Sequence, residues 1–223
     1  MIEMNRKFKQ FNRILIVTAV AVERDAVLAG LGGSAKFDVV VSGVGPIAAA
    51  AVTTITLANK TYDLVISVGI GGGFHGQAEL GSLVVASEII VADLGVMTSV
   101  GFVSLDELGF GSTRFVVDSE LALRVTEALL LTGLPVHNGP ILTVSTITGT
   151  SEMAMDRAVR IPGALAEGME GYGVAMAAHQ FGVPVLEIRS ISNEVGPRDR
   201  AAWRIEEALS ALETASSILS EVL

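Results

Sequence analysis

Apolar, β-branched runs alternate along this chain with stretches in which apolar and small residues recur every three or four positions. The runs predict strands over residues 14–20, 37–43, 63–70, 82–93, 136–146 and 183–192, with a short extended piece at 163–168. Helical patterns fall between them, over 23–31, 46–59, 118–132, 151–160, 170–181 and 200–222. The punctuation agrees with the periods. Gly45-Pro46 opens an Ala-rich helix, Asp118 is a cap, and Gly133-Leu-Pro135 is a stop. Residues 95–114, Gly-rich and polar, read as an irregular loop. Strands that are apolar nearly throughout are buried on both faces, so helices must cover both sides of the sheet. The predicted fold is α/β: a single-domain, three-layer sandwich with a twisted, mixed, mostly parallel sheet flanked by helices. No linker, repeat or low-complexity segment divides the chain. Residues 1–223 are expected to form one domain, with 1–12 as a flexible N-terminal extension.

Composition narrows the function. Half of the 223 residues are hydrophobic and 17% are charged, enough for a sizeable core and too apolar for disorder. The net charge of −9 argues against a nucleic-acid surface, which needs clustered Lys and Arg. There is no Cys, which excludes disulfides, thiolate catalysis and Cys–metal sites. His75, His137 and His179 are scattered without metal-ligand spacing, and no cofactor or metal is expected. Arg6, Lys7, Lys9 and Arg13 before the apolar run 14–22 fit a short signal peptide, but the run resembles the later strands and reads better as the first of them. No uninterrupted apolar stretch is long enough to span a bilayer. A cytoplasmic protein without membrane or nucleic-acid partners is expected.

Two glycine clusters follow predicted strands. Gly43-Val-Gly45-Pro-Ile-Ala48 has the shape of a dinucleotide fingerprint, with Asp63 twenty residues on. The acid that binds a ribose belongs at the carboxyl end of its strand, however, and Asp63 precedes one. Pro46 also removes a backbone donor. A nucleotide-dependent oxidoreductase is therefore the weaker reading. Gly69-Ile-Gly-Gly-Gly73, including Gly71 and Gly72, lets the backbone approach a ligand, or is a plain turn between strands.

Several polar residues have both an ordinary and a chemical reading. Glu23 and Glu170 each sit at a helix start, where a carboxylate complements the dipole. Arg189, on a strand, calls for an ion-pair partner. Asn193 closes the run Val183-Pro-Val-Leu-Glu-Ile-Arg-Ser-Ile-Ser-Asn193 and fits a turn or cap. Trp203, the only Trp, would ordinarily be core.

A Met169-Glu170 pair opening a helix, followed by a strand ending Arg189-Ser-Ile-Ser192, resembles the purine nucleoside phosphorylase and nucleosidase family. The likeness covers nearly the whole chain from Ile14, and Gly168–Asn193 is its most specific part. The resemblance implies that Glu23 activates water, since a carboxylate there would repel phosphate. It implies that Met169 and Glu170 hold the ribose, that Arg189 positions the water or Glu23, and that Ser192 supports Asn193. Gly71 and Gly72 would lie near the sugar and nucleophile.

Adenine-specific hydrolases of the family carry Asp where this chain has Asn193. An amide can donate to the carbonyl of a 6-oxopurine while its oxygen faces the protonated ring nitrogen. Hypoxanthine or guanine is then the expected base, released by hydrolysis with water as co-substrate. Ile147 would be the wall beside the base. Trp203, with Arg198 and Arg200, would close the 5′ side and take an aromatic acid by stacking and charge. The combination is most similar to family members that cleave hypoxanthine from a nucleoside with a carboxyphenyl ketone on its 5′ arm, in menaquinone biosynthesis. The alternatives are a methylthioadenosine or adenosylhomocysteine nucleosidase, a purine nucleoside phosphorylase, and a nucleoside-binding protein without turnover. The family also implies a homodimer or larger homo-oligomer, here built on helix 45–59.

Overall fold

The computed structural model describes residues 10–223. Strand β1 (Ile14–Thr18) is buried at every position. Ile14 and Ile16 pack in one apolar cluster with Val27, Leu31 and Leu212, while Leu15 and Val17 pack in another with Ala49, Leu57 and Val174. A continuous apolar run folds this way because both of its faces meet helices. Helix α1 (Ala21–Leu31) packs with α6 (Ile205–Val222) on the first side, and α2 (Pro46–Asn59) with α5 (Gly171–Gln180) on the second.

β1 lies between parallel β2 (Phe37–Val41) and β3 (Leu64–Gly73). This part is the expected sandwich. Beyond β3 the sheet curls onto itself. β3 pairs with parallel β10 (Val185–Glu194), which pairs with antiparallel β4 (Leu83–Val91). β4 runs parallel to β8 (Val136–Thr143), β8 parallel to β9 (Ala166–Gly168), and β9 returns antiparallel to β3. Five strands therefore form a closed ring with no free edge, to which β1 and β2 are attached.

Three local expectations are corrected. Residues 69–73 are not a loop: they continue β3, because β10 on one edge and β9 on the other supply backbone partners as far as Gly73. Residues 95–114 are not irregular. They contain the hairpin β5 (Gly95–Thr98) and β6 (Gly101–Ser104), followed by β7 (Arg114–Val116), which pairs with β4. The last helix does not begin at residue 200. A single 3-10 turn over Arg200–Ala202 precedes it, and α6 starts at Ile205.

Helices α3 (Ser119–Leu130) and α4 (Ser151–Arg160) fall close to their predicted places. Asp118 caps α3 by accepting from the Leu121 amide at 2.8 Å. Residues 1–9 of the expected extension, with all three of its basic residues, lie outside the described residues. The remainder is docked: Phe11 is buried, and the Asn12 and Arg13 amides donate to Asp63 at 2.7 and 3.0 Å.

Gly173 sets the spacing of α2 and α5, since a Cβ there would run into the Pro46 backbone. Gly173→Ala is expected to cost about 1–3 kcal/mol through forced separation of the two helices. Urea denaturation measures it; an unchanged midpoint would refute the close approach.

Candidate active site

Strands β3 and β10 and the starts of α1 and α5 converge on one buried charge. Arg189, on β10, is 1% exposed. Its Nε donates to Glu187 at 2.8 Å and its Nη2 to the Ser67 hydroxyl on β3 at 3.0 Å. Its Nη1 pairs with Glu170 at 3.3 Å. Burial works against the positive charge, but Glu187, Glu170 and Glu23 outweigh it and hold the guanidinium above its ordinary range. Glycines make the room. A Cβ on Gly69 would lie 2.5 Å from Arg189 Nη1 and 2.7 Å from Glu23 Oε1. One on Gly168 would lie 3.0 Å from Arg189 Nε, and one on Gly171 would collide with the Glu187 carboxylate.

Glu23, in the first turn of α1, is buried. Its Oε2 accepts from the Ala19 and Val20 amides at 2.9 and 3.2 Å, and its Oε1 from the Ile70 amide at 2.9 Å. Burial pushes this carboxyl above its ordinary 4.5, against the pull of the Arg189 charge and the Ile70 and Val20 amides. Glu170 is the N-cap residue of α5 and reaches across to α2, where its Oε1 accepts from the Gly45 amide at 3.0 Å. The glycine turn that looked like a dinucleotide fingerprint thus meets a carboxylate of its own chain. Asp63 is at the other end of the sheet, holding Asn12 and Arg13.

Asn193 follows a register shift between Ile191 and Asn193, where β10 pairs with the glycine end of β3. The Ser192 hydroxyl donates to its Oδ1 at 2.9 Å and lies 3.2 Å from the Gly71 carbonyl. Its Nδ2 donates to the Glu194 carbonyl at 2.9 Å and would sit 3.2 Å from a Cβ on Gly72. One amide hydrogen and one lone pair remain for a ligand. The Arg204 amide donates to the Ser192 carbonyl at 2.8 Å, which ties the Trp203 segment to the same strand end. Trp203 is half-buried, with Arg198 and Arg200 at 5.3 and 6.0 Å from its ring. Neither arginine forms an ion pair among the described residues, whereas Arg204 pairs with Glu207.

Met169 is partly buried against the cluster that contains Phe74 and Val195. Ile147 is exposed on the segment after β8. His75 is exposed and pairs with Glu194, His137 pairs with Glu79, and His179 packs on Phe115. Arg24 turns to Asp25 in solvent and away from the cluster. Among the described residues no group of three or more His, Asp or Glu is placed to hold a metal ion.

Sequence reasoning missed Glu187, Ser67, Arg157 and Glu167. Glu187 is fully buried, and its Oε2 has no hydrogen-bond partner among the described residues. An acid in the middle of the apolar run 183–188 was the available signal.

Fold and site together define a member of the nucleoside phosphorylase and nucleosidase class. The chain belongs to the Phosphorylase superfamily, whose sequence pattern matches residues 25–223. It is 47% identical to the futalosine hydrolase of Streptomyces coelicolor over 94% of this chain and 96% of that one. It is also 47% identical to the futalosine hydrolase of Acidothermus cellulolyticus, over 92% and 89%. The solved structure of futalosine hydrolase from Helicobacter pylori superposes with a TM-score of 0.81 at 19% identity, covering 94% of this chain and 98% of that one; this likeness is one of fold.

Arg189→Met leaves Glu187 and Glu170 buried without their cation. The expected loss is about 3–5 kcal/mol, the cost of breaking a buried pair from one side. Calorimetric or denaturant unfolding measures it, and a loss below about 1 kcal/mol would mean that the carboxylates do not depend on Arg189.

Proposed function

We propose that this chain hydrolyses the N-ribosidic bond of futalosine, a 6-oxopurine nucleoside, to hypoxanthine and dehypoxanthine futalosine in menaquinone biosynthesis. The observation that carries the reading is an amide at 193, held by Ser192 and Glu194 on the strand that carries the buried Glu187 and Arg189, in a chain 47% identical to a futalosine hydrolase.

Glu23 takes a proton from water, and the water oxygen bonds to C1′ of the ribose. The C1′–N9 bond breaks, and its electron pair leaves with the purine. The sugar becomes cation-like on the way. Glu23, Glu170 and Glu187 surround a single guanidinium, so the local field favours that developing positive charge. The same field disfavours phosphate, which supports hydrolysis over phosphorolysis. Glu170 accepts from the ribose hydroxyls and Met169 lies against the sugar. The leaving purine accumulates charge at its ring nitrogen and O6; a solvent water protonates the ring nitrogen, and Glu23 afterwards returns its proton to solvent. The free amide hydrogen of Asn193 meets O6, and its Oδ1 faces the ring nitrogen once that nitrogen is protonated. An aspartate at 193 would face the Glu194 carbonyl without a hydrogen to give it. Ile147 flanks the base, and Gly71 and Gly72 let the strand backbone come close to the nucleoside. Trp203, Arg198 and Arg200 receive the aromatic carboxylate of the 5′ arm.

No cofactor is required. The partners are the nucleoside, water and further copies of the same chain, with no nucleic acid or membrane among them. Helix α2 leaves Ile47 and Ile55 exposed, a fit for a homodimer or larger homo-oligomer. No helix among the described residues is long and apolar enough to cross a membrane, which is consistent with the cytoplasmic location proposed here.

Incubation with futalosine, inosine and methylthioadenosine, with and without phosphate, followed by chromatography of the base, tests the reading. Hypoxanthine released from futalosine without phosphate is expected. Adenine release in its place, or a strict need for phosphate, overturns it. Binding of nucleosides without any free base would make the chain a binding protein.

Glu23→Gln is expected to lower kcat by about 10²–10⁴, the range of a general base. Because burial raises Glu23, protonation removes activity as pH falls through a midpoint above the ordinary carboxyl value of 4.5. A kcat/KM profile with its acid limb below that value would exclude Glu23 as the base.

A further inference from the structure

The segment between β8 and α4 carries Ile147, and it is held from two sides. On the solvent side, Asp93 Oδ2 accepts from the Ser145 and Thr146 amides at 2.7 and 3.2 Å. On the inner side lies a second buried ion pair, separate from the Arg189 cluster. Arg157, on α4, and Glu167, on β9, are 4% and 6% exposed and bind each other. Both also grip the segment. Glu167 accepts from the Thr148 amide at 2.9 Å and from the Thr148 hydroxyl. Arg157 donates to that hydroxyl and, through Nη2, to the Thr146 carbonyl at 3.0 Å. The backbone on both sides of Ile147 is therefore fixed. Glu167 is in turn the register partner of Gly72 on β3, the glycine whose Cβ position lies 3.2 Å from Asn193 Nδ2. Ile147 and Asn193 are tied to each other through this pair.

We infer that Thr148, Arg157 and Glu167 form a positioning cluster that sets the distance between the Ile147 wall and the Asn193 amide, and so determines how tightly the purine is held. This rests on the reading that the purine lies between those two residues. A buried ion pair is a costly way to stabilise a loop, since apolar residues of similar volume do as well or better. Its directional bonds do fix a backbone position, and a base slot needs that.

The probe is the free purine that the wild-type chain releases, hypoxanthine on the reading above, used as a product inhibitor. Thr148→Val removes the hydroxyl at nearly constant volume. It is expected to raise the Ki of the free base and the KM of the nucleoside at least tenfold, with kcat within threefold. Inhibition by the base-free sugar product should change by less than twofold. Thr148→Ser should restore the base Ki. Arg157→Met with Glu167→Met, which leaves no lone buried charge, should reproduce the Thr148→Val pattern in a folded protein.

A lowered melting temperature with the base Ki unchanged overturns the proposal and leaves the cluster purely structural. Equal weakening of base and sugar product also overturns it. Release of adenine by the wild type defeats the substrate reading alone, and the same variants are then compared with adenine as inhibitor.

Discussion

One buried guanidinium organises the end of this protein that carries the candidate site. A charge at the place of Arg189 is tolerable only if it is paired and hydrogen-bonded. The chain meets that requirement with residues from four elements: Glu187 on its own strand, Ser67 on β3, Glu170 at the start of α5, and Glu23 in α1 as a nearby opposite charge. Each partner needs space, and each space is a missing side chain. Gly69, Gly168 and Gly171 surround the cluster where any Cβ would displace Arg189, Glu23 or Glu187. Gly69 on β3 is thus a consequence of the ion cluster, whereas a Cβ on Gly72 or Gly73 would meet Val195 or the Ala78 carbonyl; the extended strand is what brings Gly71 and Gly72 beside Asn193.

Helix starts complete the arrangement. α1, α2 and α5 begin at this end of the sheet, with Glu23 in the first turn of α1 and Glu170, the N-cap residue of α5, turning its carboxylate to the Gly45 amide at the start of α2. Free backbone amides at helix N-termini favour negative charge, which offsets part of the cost of burying three carboxylates near one cation. The balance is uneven across the cluster. Burial still raises Glu23 and Glu187, with Arg189 opposing it at both. A buried carboxylate of raised basicity suits a group that must take a proton from water.

Local patterns were legible in the sequence and long-range ones were not. The apolar runs located β1, β4 and β10 within a few residues, because two-faced burial leaves a continuous hydrophobic signature. Asp118 was legible as a cap because capping is settled within one turn. Ring closure was not legible: it depends on β9, three residues long, returning to β3 from far along the chain. The glycines of β3 were misread for the same reason, since a glycine run reads as a turn until its cross-strand neighbours are known. The buried charges divide likewise. Glu23, Glu170 and Arg189 were reached through a family resemblance. Glu187 and Glu167 are acids in short apolar contexts with no motif, and only the fold pairs them with Arg189 and Arg157.

The two ends of the proposed nucleoside would be read by different physics, and magnitudes decide which dominates. Arg198 and Arg200 are exposed beside Trp203. An exposed ion pair is worth about 0–1 kcal/mol and an exposed cation–π contact about 0.5–1, both weakened by salt. Asn193 is already held by two hydrogen bonds and borders the buried Ser192. A purine that leaves a desolvated group there unpaired loses about 1–3 kcal/mol with little screening. On the proposed reading, base identity therefore outweighs the arm. Replacing the O6 carbonyl by an amine should cost more in kcat/KM than shortening the 5′ arm to a hydroxyl, and added salt should erode only the contribution of the arm. If shortening the arm proved the larger loss at physiological ionic strength, the Trp203 pocket would have to be desolvated by a neighbouring copy of the chain, because exposed arginines alone do not supply that much energy.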